Sequence, residues 1–270
     1  MRVLAGTDGS AAAARGVSWA GHVAGALGAQ VVVAAASEPS GDGGELAADV
    51  ASLLEGPWSE PARTANASVT TAVLPGDPRV ALLDAVREHG ANLLVLGSTG
   101  RGWFPALHLG HVAHAIAHHS PVPVVIVPPG APVEVPRRIM VGIDGSEGSR
   151  AAVEWTAPVA GALGAEVLAV HAHMRALAGE PSGAGADLEE ACRGWAAPLR
   201  STAVEQHVVL AQGWPASAIV GLETLEGADL VVLGARGAGG FKGLRLGSIA
   251  LQVLQRSAVA VAVVPPGTRE

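Results

Sequence analysis

Two glycine-punctuated stretches hold the residues with the clearest chemistry. One reads Gly234-Ala235-Arg236-Gly237 and, after nine intervening residues, Gly247-Ser248. The other reads Gly97-Ser98-Thr99-Gly100 and, after the same spacing, Gly110-His111. Glycine lets a backbone N–H approach a ligand with no Cβ in the way. Gly247, Ser248 and Ile249 are expected to open a helix, so their N–H groups should be unpaired donors where the helix dipole favours an anion. The Ser248 hydroxyl adds a donor, and Arg236, Lys242 and Arg245 bring positive charge into the same loop. That set suits phosphate. The plainer reading is a glycine-rich turn between strand and helix, with solvated cations at its tip. The spacing is neither a Walker loop, which needs a Gly-Lys-Ser/Thr end, nor the dinucleotide fingerprint G-x-G-x-x-G.

An apolar run leads into each stretch, over 91–97 and 228–234, as expected of strands buried on both faces. In the second half further strands are predicted over 139–144, 165–172, 203–211 and 259–265. Helices are predicted over 146–163, 187–200, 215–226 and 247–256, with a Gly/Pro/Ser loop at 179–185. Ser146 is placed to N-cap the first helix, Glu147 to complement its dipole and Gly164 to stop it. In the first half the helices fall near 10–27, 45–56, 78–89 and 110–119. Strand and helix in alternation mean a parallel sheet with right-handed crossovers. Five strands in the order 3-2-1-4-5 make a flavodoxin-like or Rossmann-like α/β domain. Ligands on such sheets sit at the carboxyl ends of the strands where the order reverses. That geometry sets Asp144, ending strand 1, beside Gly234, ending strand 4, and Asp8 beside Gly97.

The halves are copies. Residues 2–10 (RVLAGTDGS) return as 138–146 (RIMVGIDGS), Trp19 as Trp155, Trp58 as Trp195, and 91–97 (ANLLVLG) as 228–234 (ADLVVLG). Two tandem domains are therefore expected, over 1–130 and 137–270, joined by an extended Pro-containing linker at 131–136.

Composition limits the alternatives. A net charge of −7 with no basic block argues against nucleic acid and against a polybasic membrane anchor. Neither a signal peptide nor a membrane span is apparent, and a soluble cytoplasmic protein is expected. The single cysteine, Cys192, allows no internal disulfide and is expected to be inert packing. His111, His114 and His118 share a helical face, with His108 and His119 nearby. No carboxylate or cysteine joins them, so no metal site is expected. No catalytic constellation stands out, because Ser10 and Ser146 serve better as helix caps than as nucleophiles.

The glycine loop after strand 4, the Asp ending strand 1 and a last strand closing on Pro are together similar to the nucleotide-binding universal stress proteins, twice over. The resemblance implies tandem domains of the adenine nucleotide alpha hydrolase-like type. It implies a site in the second half formed by Gly142, Ile143, Asp144, Val170, Leu233, Gly234, Arg236, Gly237, Gly247, Ser248 and Ile249. The loop glycines and Ser248 would hold phosphates, Asp144 would lie near the adenosine, and the stretch around Val170 would line the adenine. The first half carries Gly6, Thr7, Asp8, Leu96, Gly97, Gly100, Gly110, His111 and Val112. There His111 stands where the pattern has Ser or Thr, so the second half is expected to be the tighter site. The implied ligand is ATP, with or without Mg²⁺, with AMP and cyclic AMP as alternatives. The implied role is regulatory, in stress or dormancy, through an unidentified protein partner. The alternatives are a slow Mg-dependent ATPase, an adenylyl-transfer enzyme or a structural module with vestigial sites. The apolar fifth strands, 122–128 and 259–265, need cover as edges. They are expected to pair with each other as a pseudo-dimer, with homodimerisation as a further option.

Overall fold

The structure, a computed structural model, describes residues 1–37, 43–101, 109–174, 184–239 and 245–267. The chain divides into two compact units, Met1–Val135 and Pro136–Glu270.

In the first unit the order is β1 (Arg2–Gly6), α1 (Ala11–Leu27), β2 (Gln30–Ser37), α2 (Gly43–Glu55), α3 (Glu60–Arg63), β3 (Ser68–Pro75), α4 (Pro78–Glu88), β4 (Leu93–Gly97), α5 (His111–His119) and β5 (Val124–Val127). Every pairing is parallel, and the strand order is β3-β2-β1-β4-β5. The second unit repeats it with β6 (Arg138–Gly142), α6 (Glu147–Leu163), β7 (Glu166–His173), α7 (Ala184–Trp195), β8 (Gln206–Gln212), α8 (Pro215–Leu225), β9 (Leu230–Gly234), α9 (Ser248–Arg256) and β10 (Ala260–Val264). Its order is β8-β7-β6-β9-β10, again all parallel. The order reverses at β1 and at β6, each hydrogen-bonded on both sides.

The central strands are apolar on both faces because helices cover both. Val3, Leu4, Ala5 and Leu93–Leu96 are all buried, as are Ile139, Met140, Val141 and the run from Leu230 to Leu233. Each fully buried Val, Leu or Ile contributes about 1.5–3 kcal/mol relative to exposure. The helices after β1 and β6 begin alike. The Ser10 hydroxyl accepts the Ala13 N–H at 3.2 Å and the Ser146 hydroxyl accepts the Ser149 N–H at 3.1 Å. Both helices end on a glycine in the left-handed region, Gly28 and Gly164. Those positive φ angles would strain any side chain, which is why the chain turns there into β2 and β7.

Three local expectations need correction. The helix expected over 187–200 is α7, which stops at Trp195 and gives way to a 3-10 turn at Ala197–Ser201. Pro198 lacks the N–H that a continuing helix would use, so the chain tightens instead. Consequently β8 starts at Gln206 rather than 203. The loop expected over 179–185 is shorter at its end, since α7 already includes Ala184, and 179–183 lie outside the described residues. Finally, the four-residue α3 was not expected; Pro61 in its first turn fits a helix start.

One buried acid stands apart from the cavities. Glu223 on α8 is 2% exposed. Its carboxylate accepts the Ser257 hydroxyl at 2.7 Å and the Ala258 N–H at 2.8 Å, tying α8 to the turn before β10. Burial pushes its pKa up, and the two hydrogen bonds offset that only in part. A carboxyl whose folded pKa is raised binds its proton more tightly in the folded state. Its stabilising contribution is therefore complete below the ordinary carboxyl value and is lost as pH rises through the folded value. Glu223→Gln can keep the Ala258 bond without an ionisable group. It should match the native chain near pH 4 and melt higher at pH 7. Glu223→Leu, which strands the Ala258 N–H, should cost about 1–3 kcal/mol. Thermal unfolding of the three proteins across pH checks both statements.

Candidate functional site

The two aspartates that end the first strand of each unit join segments far apart in sequence. Asp144 accepts the Ser146 N–H on Oδ1 at 3.0 Å, closing its own Asp-Gly-Ser turn, and the Ala238 N–H on Oδ2 at 2.8 Å. Asp8 does the same with the Ser10 N–H at 3.0 Å and the Arg101 N–H at 2.7 Å. Each carboxylate thus fixes the turn after its own strand and the glycine loop after the neighbouring one. The turn-forming role and the site role coincide in one side chain.

The motif glycines have reasons that the sequence did not disclose. A Cβ on Gly237 would stand 2.6 Å from Asp144 Oδ2, and one on Gly100 would stand 2.6 Å from Asp8 Oδ2. A Cβ on Gly234 would collide with the backbone of Gly148 at the start of α6, and one on Gly97 with the Ala12 carbonyl. Gly148 in turn lies directly against the Arg236 carbonyl. These glycines are needed first for the protein's own close approaches, and the open main chain left for a ligand follows from them. One expectation is corrected here. The Gly247 N–H is not free: it donates to the Ala235 carbonyl at 2.7 Å, as Gly110 does to Ser98. The loop folds back on itself, so that glycine serves as the N-cap residue of the helix. Among the described residues the N–H groups of Ser248, Ile249 and Ala250 carry no hydrogen bond, and α9 begins without a side-chain cap. The same holds at the start of α5.

Each unit has a cavity at this point. The one in the second unit is about 410 Å³, and its walls include Gly142, Ile143, Asp144, Val170, Leu233, Gly234, Arg236, Gly237, Gly247, Ser248 and Ile249. The cavity in the first unit is about 380 Å³, with Gly6, Thr7, Asp8, Leu96, Gly97, Gly100, Gly110, His111 and Val112 on its walls. The residues that the resemblance implies thus share one cavity wall in each half, whereas Arg245 is not on the wall of the second cavity. Lys242 and His108 lie outside the described residues.

Several wall residues went unnoticed in the sequence. Pro215 and Ile219 of α8 add apolar surface in the second unit, and Pro78 and Leu82 of α4 do so in the first. His171 also reaches the second cavity, and its Nδ1 lies 2.7 Å from the Ile143 carbonyl, so that nitrogen must carry a hydrogen. It follows Val170 by one residue and could have been found from the 3-2-1-4-5 order alone. Ser98, on the first cavity wall, is 1% exposed, and among the described residues its hydroxyl meets no partner. The repeated tryptophans pack against the Asp-Gly-Ser turns. Gly9 and Gly145, at φ of +76° and +75°, leave their missing side-chain space to the rings of Trp58 and Trp195.

Of the histidines on α5, only His111 lines the cavity. His114 and His118 lie with ring centroids 4.6 Å apart. Burial, then the neighbouring His114 and His119, hold the His118 pKa below the ordinary histidine value. Among the described residues no three His, Cys, Asp or Glu side chains group to hold a metal ion. Cys192 is buried, and burial followed by the charge of Glu189 pushes its thiol up, away from reactive thiolate.

Fold and site together define a tandem α/β protein with a cavity at the point of strand-order reversal in each unit. The chain belongs to the universal stress protein family, which it matches over residues 1–128 and again over 136–265. It is 31% identical over 196 residues to a universal stress protein of Mycolicibacterium smegmatis, covering 68% of this chain and 65% of that protein. A universal stress protein of Mycobacterium tuberculosis is 30% identical over 219 residues, covering 74% of this chain and 70% of the relative. The crystal structure of a universal stress protein from Archaeoglobus fulgidus DSM 4304 has the same fold, with a TM-score of 0.76 at 24% identity over 98% of each chain. Among the described residues no helix is long and apolar enough to cross a membrane.

If the glycines are set by internal packing, their substitutions should separate by neighbour. Gly234→Ala meets the Gly148 backbone and should lose about 1–3 kcal/mol of stability, as overpacking does. Gly239→Ala, on the same cavity wall with open space around its Cβ, should stay within about 0.5 kcal/mol. Urea unfolding of both variants distinguishes the cases.

Proposed function

We propose that this universal stress protein binds an adenine nucleotide, ATP in the first instance, in the cavity of each unit, and that it acts as a regulatory binding protein rather than a catalyst. The observation that carries this is the uncapped start of α9 in one cavity wall with the glycine loop. The free N–H groups of Ser248, Ile249 and Ala250 and the Ser248 hydroxyl offer donors to an anion. The helix dipole adds about 0.3–1 kcal/mol of attraction, more when partly buried. The same cavity has Val170, Pro215, Ile219 and Leu233 for an apolar ring system. Its volume falls within the range of about 300–1,000 Å³ usual for small-molecule sites.

The aspartate in each cavity does not suit catalysis. Both oxygens of Asp144 are taken by N–H donors, and so are both oxygens of Asp8. These bonds commit each carboxylate to holding its turn and its loop together. A divalent cation would arrive with the phosphates rather than be held by the protein. The role in stress or dormancy, exercised through a protein partner, is part of this reading.

Nucleotide identified by mass spectrometry in protein denatured directly after purification would support the proposal. So would calorimetric titration of stripped protein with ATP, AMP and cyclic AMP. Gly237→Val should remove binding in the second unit by displacing the Asp144 carboxylate, and Gly100→Val should do so in the first. Ser248→Ala should weaken the second site about tenfold to a hundredfold, the equivalent of one hydrogen bond to a charged group. His111 lacks that hydroxyl, so the native first site should be the weaker one. No heat on titration with any of the three nucleotides would refute nucleotide binding. Turnover of ATP well above one per site per hour would refute the non-catalytic part.

A further inference from the structure

Both loops tie themselves to the strand-1 aspartate, and the residue that makes that bond differs between the units. Arg101 and Ala238 are equivalent, since each donates its N–H to the strand-1 aspartate, at 2.7 and 2.8 Å. The Arg101 guanidinium lies over the Trp58 ring, 5.2 Å from its centroid. Trp195, the counterpart of Trp58, instead meets the edge of His171 at 5.4 Å. Arg101 lines the first cavity, and among the described residues its guanidinium has no carboxylate partner. The nearby Asp8 is already occupied by two N–H groups.

We propose that Arg101, held on Trp58, is the specificity-determining residue of the first cavity and selects ligands by their phosphate charge. This rests on reading the cavity as a nucleotide site. An arginine on a solvated loop ordinarily samples many rotamers, and binding a phosphate must first freeze them. Here the backbone is pinned by Asp8 and the guanidinium lies over the indole ring. A cation–π contact uses no N–H donor, so the guanidinium N–H groups can meet phosphate oxygens. The second unit has Arg236 at a different loop position, where Thr99 stands in the first, and no aromatic contact orders it among the described residues. The first unit, without the Ser248 hydroxyl, thus recognises phosphate by an ordered cation instead. Trp58 is a positioning residue in this scheme, because it acts through Arg101.

The test uses the full chain carrying Gly237→Val, titrated with ATP, AMP and adenosine in a calorimeter. ATP should bind the first cavity more tightly than AMP, and AMP more tightly than adenosine. Arg101→Ala and Arg101→Gln should each weaken ATP at least tenfold and adenosine less than twofold. Trp58→Leu should reduce the ATP-to-adenosine preference, and Trp58→Phe should restore it. Melting temperatures close to the parent protein would show that the variants are folded. An unchanged ATP affinity in Arg101→Ala, or an equal loss for ATP and adenosine, overturns this inference and leaves nucleotide binding standing. A native chain that takes up no nucleotide in either cavity overturns both.

Discussion

A single carboxylate in each unit bridges the two segments that the site is made from. Asp144 and Asp8 each accept one N–H from their own turn and one from the loop after the adjacent strand. The parallel sheet makes this bridge available, since β1 and β4, like β6 and β9, are hydrogen-bonded neighbours at the point where strand order reverses. The bridge works only at close range. It requires glycine at 100 and 237 facing the carboxylate, and glycine at 97 and 234 where the next helix starts against the strand end. The cavity is what remains between segments drawn together this tightly. Its donors are the helix-start N–H groups that the folded-back loop leaves unused.

Much of this was legible in the sequence, and for a physical reason. A strand buried on both faces needs an unbroken apolar run, so the central strands are readable, and the repeat let each half check the other. Ser-capped helix starts and glycine stops fixed α1 and α6 to within a residue. Once the strand order is assumed, the residues at the carboxyl ends of β1 and β4 must meet. That is why the chosen wall residues lie together.

What escaped lay in contacts with no periodic signal. The sequence suggested that the glycines clear space for a ligand, whereas each motif glycine faces atoms of the protein itself. The Gly247 N–H was read as a free donor because a helix start is generic, while its bond to Ala235 depends on how the loop folds back. Trp58 and Trp195 were visible only as a repeated residue. Their role beneath the Asp-Gly-Ser turns needs the positive φ of Gly9 and Gly145, which removes any side chain from the space the rings fill. Glu223 falls on the helix expected over 215–226, and nothing local foretells the two donors that meet its carboxylate.

Duplication explains how the two cavities can share a frame and still differ in chemistry. The frame residues, Asp8 and Asp144 with their facing glycines, are matched in both units because a change in any one disturbs the others. The residues projecting from that frame are under no such mutual constraint. At equivalent places the units carry Ser98 or Ala235, Thr99 or Arg236, Arg101 or Ala238, and His111 or Ser248. Each exchange moves a hydroxyl or a cation around the cavity wall while leaving the backbone bonds from the aspartate in place. The fold thereby separates what holds the loop from what meets the ligand. Two units with the same strand order thus carry cavity walls of different charge within one chain.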